Sequence, residues 1–159
     1  MENVGLVLSA NWLPILLGAL STFVLGFIWY NPKVFGTIWM REIGLTEEDA
    51  KKGNMPMIFG VSFIMSAIVA YAFARYPHDG AMHGVVHSSI YWGFLVAPVL
   101  INNALFEQRS WTVIIINVAY WYVAMAVIAI IVFAMGEWPY PVEDGEEAMR
   151  LIQDVLLLT

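Results

Sequence analysis

The sequence predicts an all-α membrane protein, a bundle of four transmembrane helices, and two observations lead to this prediction. The composition is 60% hydrophobic and 13% charged, whereas a soluble domain is nearer half apolar and a quarter charged. Charged residues are also absent from four long stretches, which are residues 3–32, 53–74, 80–106 and 110–136. A helix that crosses the hydrocarbon core needs about 20 apolar residues, so each stretch is long enough to span a bilayer.

Within a single membrane domain covering residues 1–159, we predict transmembrane helices at about residues 7–30, 57–75, 83–106 and 111–135. Helices are favoured because backbone polar groups in lipid must be paired within the segment. A closed β-barrel would need alternating segments of about ten residues, and runs such as residues 113–116 do not alternate. The N-terminus lacks the positive region of a cleavable signal peptide, so the first apolar stretch is interpreted as a retained span.

Shorter helices are predicted outside the spans. A short helix lying in the membrane interface is indicated in the first loop by apolar residues at helical spacing, namely Val34, Phe35, Ile38 and Trp39. Thr46 and the acidic residues after it are typical of a further helix N-terminus in the same loop. An amphipathic C-terminal helix is predicted at about residues 144–158, because its apolar and charged residues separate onto different faces.

Lysine and arginine positions predict the orientation in the cell (inner) membrane, because cytoplasmic loops carry the excess of these residues. The first and third loops together contain five of them: Lys33, Arg41, Lys51, Lys52 and Arg109. Only Arg75 and Arg150 fall on the other side, so we expect both termini to lie outside the cytoplasm. The net charge of −6 provides no basic footprint for nucleic acid. The absence of cysteine excludes disulfides and thiolate chemistry.

Small residues recur every four positions in three spans, and such series let neighbouring helices approach closely. The series are Gly18, Thr22 and Gly26 in the first span, Ser62, Ser66, Ala70 and Ala74 in the second, and Ser89, Gly93 and Ala97 in the third. They predict packing surfaces within the chain or within an oligomer, and a substrate path is the alternative. Tryptophans near the span ends, including Trp29 and Trp39, are interpreted as membrane-interface anchors.

Polar side chains are predicted to cluster at the inner ends of the third and fourth spans: Asn102, Asn103, Glu107, Arg109, Asn117 and Tyr120. The spacings place Asn103 with Glu107 on one helical face and Asn117 with Tyr120 on another. The turn at residues 108–110 is so short that the two spans must be neighbours. One interpretation is a hydrogen-bonded clasp with a Glu107–Arg109 ion pair. The other is a cytoplasm-facing pocket for a small ligand, ion or proton.

A second polar group is predicted at the outer side, formed by His78, Asp79, His83 and His87. His83 and His87 are four residues apart, a spacing that can chelate a divalent metal, and the loop residues could supply a third ligand. A pH-responsive surface cluster and simple headgroup contact are the alternatives. No resident cofactor is expected from the sequence.

Several short strings resemble a small prokaryotic membrane family known as domain of unknown function 1761. They include the opening pattern Asn11-Trp12, Gly26, Trp29-Tyr30, Pro32, Phe35-Gly36, Trp39-Met40 and Gly44-Leu45-Thr46. Later residues continue the resemblance: Asn102 or Asn103, Phe106-Glu107, and Asn117 with Tyr120. The resemblance covers roughly residues 8–135 and implies a four-span bacterial or archaeal membrane protein without an established activity.

From these features we expect a non-enzymatic structural or accessory subunit that self-associates or joins a larger membrane complex in the lipid bilayer. The first alternative is a small oligomeric transporter or channel that uses the inner polar cluster. The second is a membrane enzyme or metal-binding protein, although the sequence contains no nucleophile–base motif or phosphate-binding loop and no catalytic residue is assigned.

Overall fold

A computed structural model of the chain describes residues 12–75 and 80–135. All regular structure in this part is helical, which confirms the predicted all-α class there. The helices are α1 (Trp12–Trp29), α2 (Gly36–Ile43), α3 (Glu47–Lys52), α4 (Met55–Ala74), α5 (Ala81–Tyr91), α6 (Ala97–Phe106) and α7 (Trp111–Met135), and a π turn (Trp92–Val96) joins α5 to α6. The predicted C-terminal helix at residues 144–158 lies outside the described residues.

Four helical segments are long and apolar enough to cross a membrane, namely Trp12–Trp29, Met55–Ala74, Ala81–Phe106 and Trp111–Met135. Apart from the start of the first span, each observed end lies within two residues of the predicted end. The start predicted for the first span, at residue 7, precedes the described part. The described part of the chain is therefore all-helical, with four helices of membrane-spanning length.

The central helix is α7, which packs against α1, α4, α5 and α6. One face of its middle turns is completely buried, where Ala124, Ile128 and Ala129 have no exposed surface. Helices α1 and α4 also pack against each other beside it. Because α7 contacts each of the other spans, its apolar side chains form the core on which the described bundle is built.

Small side chains bring α1 close to its neighbours. A Cβ atom added to Gly18 would lie 3.4 Å from Ile128 and Val132 of α7 and 3.5 Å from Ala70 of α4. One turn further on, the buried hydroxyls of Thr22 and Ser66 form a hydrogen bond 3.1 Å long. These parts of the predicted small-residue series therefore pack inside the chain.

The third span differs from its prediction, because Gly93 is exposed and nothing lies within 4 Å of its absent side chain. Ala97 of the predicted series is buried, and the other buried residues of this span are Gly84 and Ser88. The cause is the π turn, in which the Ala97 amide donates to the carbonyl of Trp92, five residues back. One extra residue in this turn rotates the helix, so a uniform spacing of four places Gly93 on the wrong face.

Pro98 accompanies this π turn, since proline has no amide hydrogen to continue the α-helical ladder. Before the turn, α5 lies so close to α7 that a side chain on Gly84 would overlap the ring of Phe133. Phe133 is only 3% exposed and has little room to move aside. Glycine at residue 84 therefore sets the distance between these two helices.

The first loop folds back tightly before α2 begins. The Phe35 amide donates to the carbonyl of Trp29 at 3.2 Å, and the Gly36 amide donates to the carbonyl of Asn31 at 3.0 Å. A Cβ atom on Gly36 would collide with the carbonyl oxygen of Tyr30. Only glycine fits there, which gives a steric reason for the Phe35-Gly36 string.

In the rest of the first loop, capping residues mark where the short helices begin and end. Thr46 accepts a hydrogen bond from the Asp49 amide at 3.2 Å, as its predicted role at a helix N-terminus requires. Hydrogen bonds from Lys52 and Thr46 hold the pKa of the Asp49 carboxyl below its ordinary value. Gly44 ends α2 in the left-handed conformation with φ 71°, and Asn54 caps the start of α4.

We predict that Gly36→Ala lowers the free energy of unfolding by about 1–3 kcal/mol, because the added methyl group meets backbone that cannot repack. Gly60→Ala is the matched control, since a Cβ atom there meets nothing within 4 Å. Chemical unfolding in detergent micelles measures both variants. Equal stability of the two would contradict the tight first-loop geometry.

Candidate functional site

Aromatic donors from three surrounding segments converge on three consecutive residues of α7. We call residues 116–118 the acceptor segment. Its hydrogen bonds come from Trp29 Nε1 to the Ile116 carbonyl (3.2 Å), from Tyr30 Oη and Trp39 Nε1 to Asn117 Oδ1 (3.0 Å each), and from Trp92 Nε1 to the Val118 carbonyl (3.1 Å). Successive helical residues point about 100° apart. One turn of α7 therefore binds the end of α1, the first-loop helix α2 and the third span.

The centre of this arrangement is the clasp, formed by Tyr30, Trp39 and Asn117. An indole nitrogen can only donate, so the amide oxygen of Asn117 must face Trp39 and Tyr30. The two rings meet edge to face, with centroids 5.2 Å apart. The clasp therefore joins the end of α1 and the first-loop helix α2 to α7.

Tyr120 makes a second link between α7 and α1. Its hydroxyl donates to the carbonyl of Thr22 at 3.0 Å. It passes close to Gly26, where a Cβ atom would lie 3.4 Å from that hydroxyl. The Tyr120 ring also lies 5.3 Å from the Tyr30 ring, centroid to centroid. Gly26 thus makes room for the phenol, and Tyr120 joins the clasp to the core of the bundle.

Four of the six predicted inner residues line one cavity of about 320 Å³, which we call the inner cavity: Asn103, Glu107, Arg109 and Asn117. Arg109 Nε and Glu107 Oε2 are 3.1 Å apart at its exposed edge, which is the ion pair of the clasp interpretation. Such an exposed pair contributes at most about 1 kcal/mol. Tyr120 faces away into a different groove, and Asn102 is exposed and lines neither cavity.

The predicted anchoring role of Trp29 and Trp39 overlooked their hydrogen bonds to the acceptor segment. Phe35 also turns inward, where its ring lies 4.8 Å from that of Trp29. The apolar side of α2 is therefore divided, because Ile38 remains 38% exposed. A signal was present in the sequence, since a tryptophan near the core needs an acceptor and Asn117 supplies one at that level.

The outer group is described only in part, because His78 and Asp79 lie outside the described residues. His83 and His87 share one face of α5, with ring centroids 4.2 Å apart. Within residues 12–75 and 80–135, no three histidine, cysteine or acidic side chains come together in a way that could hold a metal ion. The four-residue metal site therefore stays a prediction.

These features define a class, a helical protein whose described part has four helices of membrane-spanning length, with the first span, the first-loop helix and the third span bound to one polar turn of α7. More specifically, the chain belongs to the family described as protein of unknown function, DUF1761, whose family model matches residues 13–133. The match includes the complete acceptor segment and every aromatic donor bound to it. No curated protein and no solved structure shows significant similarity to the chain.

We predict that Asn117→Ala lowers the free energy of unfolding by about 1–3 kcal/mol, because it leaves the Trp39 and Tyr30 donors without an acceptor. Asn103→Ala is the control, since this exposed amide makes no side-chain hydrogen bond within the described residues. Its effect should stay within about 0.5 kcal/mol. Unfolding in mild detergent compares the two, and equal losses would contradict a structural clasp.

Proposed function

We propose that this chain is a non-enzymatic structural or accessory subunit that associates with further copies or with a larger membrane complex. The observation that carries the proposal is the outer face of α6, formed by Val99, Asn102 and Phe106. These residues are spaced for one helical face, and all three are exposed. Val99 is 58% exposed and Phe106 is 83% exposed. The described chain thus places no partner over this face.

Exposure of the outer face to lipid would be unfavourable, because the face includes the polar side chain of Asn102. This side chain makes no hydrogen bond within the described residues, although it lies one turn inside a segment of spanning length. An unpaired amide in hydrocarbon is costly, and amide side chains commonly bond between membrane helices. A second helix against α6 would supply the missing partner, and the adjacent apolar residues would pack against it.

The use of the other deep polar groups also supports a structural role. Asn117, Tyr120 and Thr22 hold helices of the same chain together rather than facing outward. The proposal keeps the predicted orientation in the inner membrane, with both termini outside the cytoplasm. It also places Val34 and Ile38 of the first loop at the membrane interface. The C-terminal helix would then lie on the outer surface or against the partner.

We expect Asn102→Leu to lower the oligomeric fraction of the purified chain, measured by native mass spectrometry in mild detergent. Removing one amide hydrogen bond between membrane helices costs about 0.6–2 kcal/mol per contact. Asn103→Leu is the matched control, because the neighbouring amide faces the inner cavity. A wild-type chain that is strictly monomeric and free of partners would overturn the proposal, as would equal behaviour of the two variants.

A second candidate is a small transporter or channel, and the inner cavity is the observation that favours it. Its volume of about 320 Å³ suits a small solute, and both charges and amides line it. Ala124 and Ile128 of α7 are fully buried, so packed side chains occupy the described core of one chain at their level. Transport would therefore require a route between copies.

We expect proteoliposomes of the wild-type chain to show no flux of ions or small metabolites above protein-free vesicles. Glu107→Gln, which removes the carboxylate at the edge of the inner cavity, provides the comparison. A wild-type flux that this substitution reduces would replace the structural proposal with the transport function. A flux that is unaffected by the substitution would point to a leak unrelated to the inner cavity.

A further inference from the structure

A large groove opens between α1 and α4. It has a volume of about 990 Å³, and α7 forms its floor. We define this lateral groove by Thr22, Phe27, Tyr30, Ser62, Ser66 and Trp121. It shares no lining residue with the inner cavity, so it calls for a separate explanation.

Side-chain size explains why the groove exists. Near the far end of the two helices, Gly18 and Ala70 let α1 and α4 approach closely. Toward the first loop, the ring of Phe23 meets those of Phe59 and Phe63, with centroids 6.0 and 6.2 Å apart. Bulky aromatic side chains therefore separate the helices at one end while small ones close them at the other. The result is a tapering space between two spans.

The opening of the groove faces the surroundings of the bundle. Its rim carries Val24, Phe27 and Met65, which are 64%, 78% and 47% exposed. These residues belong to two helices of spanning length, so the molecules that meet the opening in a membrane are lipids. The apolar rim is suited to a hydrocarbon chain that enters from the side.

The polar part of the groove carries no charge. Thr22, Tyr30, Asn31, Ser62, Ser66, Tyr120 and Trp121 all contribute to the lining, whereas no lysine, arginine, histidine or acidic residue does. Binding a phosphate headgroup would require desolvating an anion without a cation to compensate it. The composition of the lining therefore favours an uncharged ligand.

Two hydrogen-bonding groups of the groove have no partner in the described residues. The Ser62 hydroxyl and the Trp121 indole make no hydrogen bond there, whereas Thr22 and Ser66 bond to each other. Polar hydrogens at membrane depth are costly when they are left unpaired. An indole can only donate, so the ligand group that complements it is an acceptor such as a carbonyl oxygen.

We propose that the lateral groove binds one neutral amphipathic lipid, with an uncharged carbonyl-bearing head between Ser62 and Trp121 and its chain along the apolar rim. Its volume is at the upper end of the roughly 300–1,000 Å³ that is typical of small-molecule sites. An isoprenoid quinone and a diacylglycerol share this chemistry. The site is independent of the oligomeric role proposed above, since α6 does not contribute to it.

The test measures thermal unfolding of the full chain in mild detergent with three added probes. Decylubiquinone represents the quinone head, dioleoylglycerol the neutral ester head and dioleoylphosphatidylglycerol the anionic head. We expect a saturable rise in Tm with one or both neutral probes and none with the anionic probe. A response to the quinone alone assigns a quinone site, and a response to the diacylglycerol alone assigns an acyl-lipid site.

Ser62→Phe should abolish this rise, because the added ring fills the groove. Gly60→Phe is the matched control on the same helix, since nothing lies within 4 Å of that position and it does not line the groove. Trp121→Phe preserves the ring but removes the donor, and it should weaken binding by up to about tenfold. This milder variant keeps the test decisive if Ser62→Phe does not fold.

Three results would overturn the proposal. One is the absence of a saturable Tm rise with either neutral probe. Another is a wild-type response in both Ser62→Phe and Trp121→Phe. The third is a response to the anionic lipid that equals the neutral one and is lost in the same variants. None of these depends on the oligomeric state, which native mass spectrometry reports separately.

Discussion

The described structure depends on one constraint, the high cost of leaving a polar hydrogen at membrane depth without an acceptor. Helix α7 satisfies this constraint in a single turn, where Asn117 and the carbonyls of its two neighbours accept four aromatic donors. The ordinary ladder of an α-helix already engages its carbonyls, so these oxygens use their second lone pair. Only Asn117 adds a new acceptor, and it receives two of the four bonds.

Apolar packing and polar pairing have different roles in this bundle. Lipid tails are as apolar as the side chains of α7, so the hydrophobic effect provides little reason for the spans to associate. Close packing at Gly18 and Gly84 supplies the attraction between the helices. At Gly84, α5 lies so close to α7 that an added side chain would overlap the ring of Phe133. The hydrogen bonds add specificity to this packing, since each aromatic donor bonds to one particular oxygen of the acceptor segment. Gly36 then permits the first loop to return Trp39 to α7.

The spans and the polar level near Asn117 were predictable because both depend on residue type and spacing alone. The partners of Asn117 were not, since Glu107 and Asn103 are nearer in sequence than Tyr30 and Trp39. Tyr30 and Trp39 reach Asn117 only because the first loop folds back toward α7. The buried face of the third span was predicted incorrectly for another reason. The π turn adds one residue to the helix, although the sequence still shows small residues at a spacing of four. That spacing predicted a buried Gly93, which is exposed.

Tyr30 lies between the lateral groove and the inner cavity, and it can couple ligand binding in one to ligand binding in the other. Its ring lines the lateral groove, while its hydroxyl donates to Asn117, which lines the inner cavity. A groove ligand that bonds only to Ser62 and Trp121 leaves this hydrogen bond intact and leaves the inner cavity unchanged. A groove ligand that pulls the Tyr30 phenol away from Asn117 breaks this hydrogen bond, which costs about 0.5–1.5 kcal/mol of its binding free energy. Coupling between two sites is reciprocal. A solute in the inner cavity that strengthens the Tyr30–Asn117 bond would therefore weaken the binding of such a groove ligand by the same free energy. The coupling between the cavities through this residue is therefore limited to the energy of one hydrogen bond.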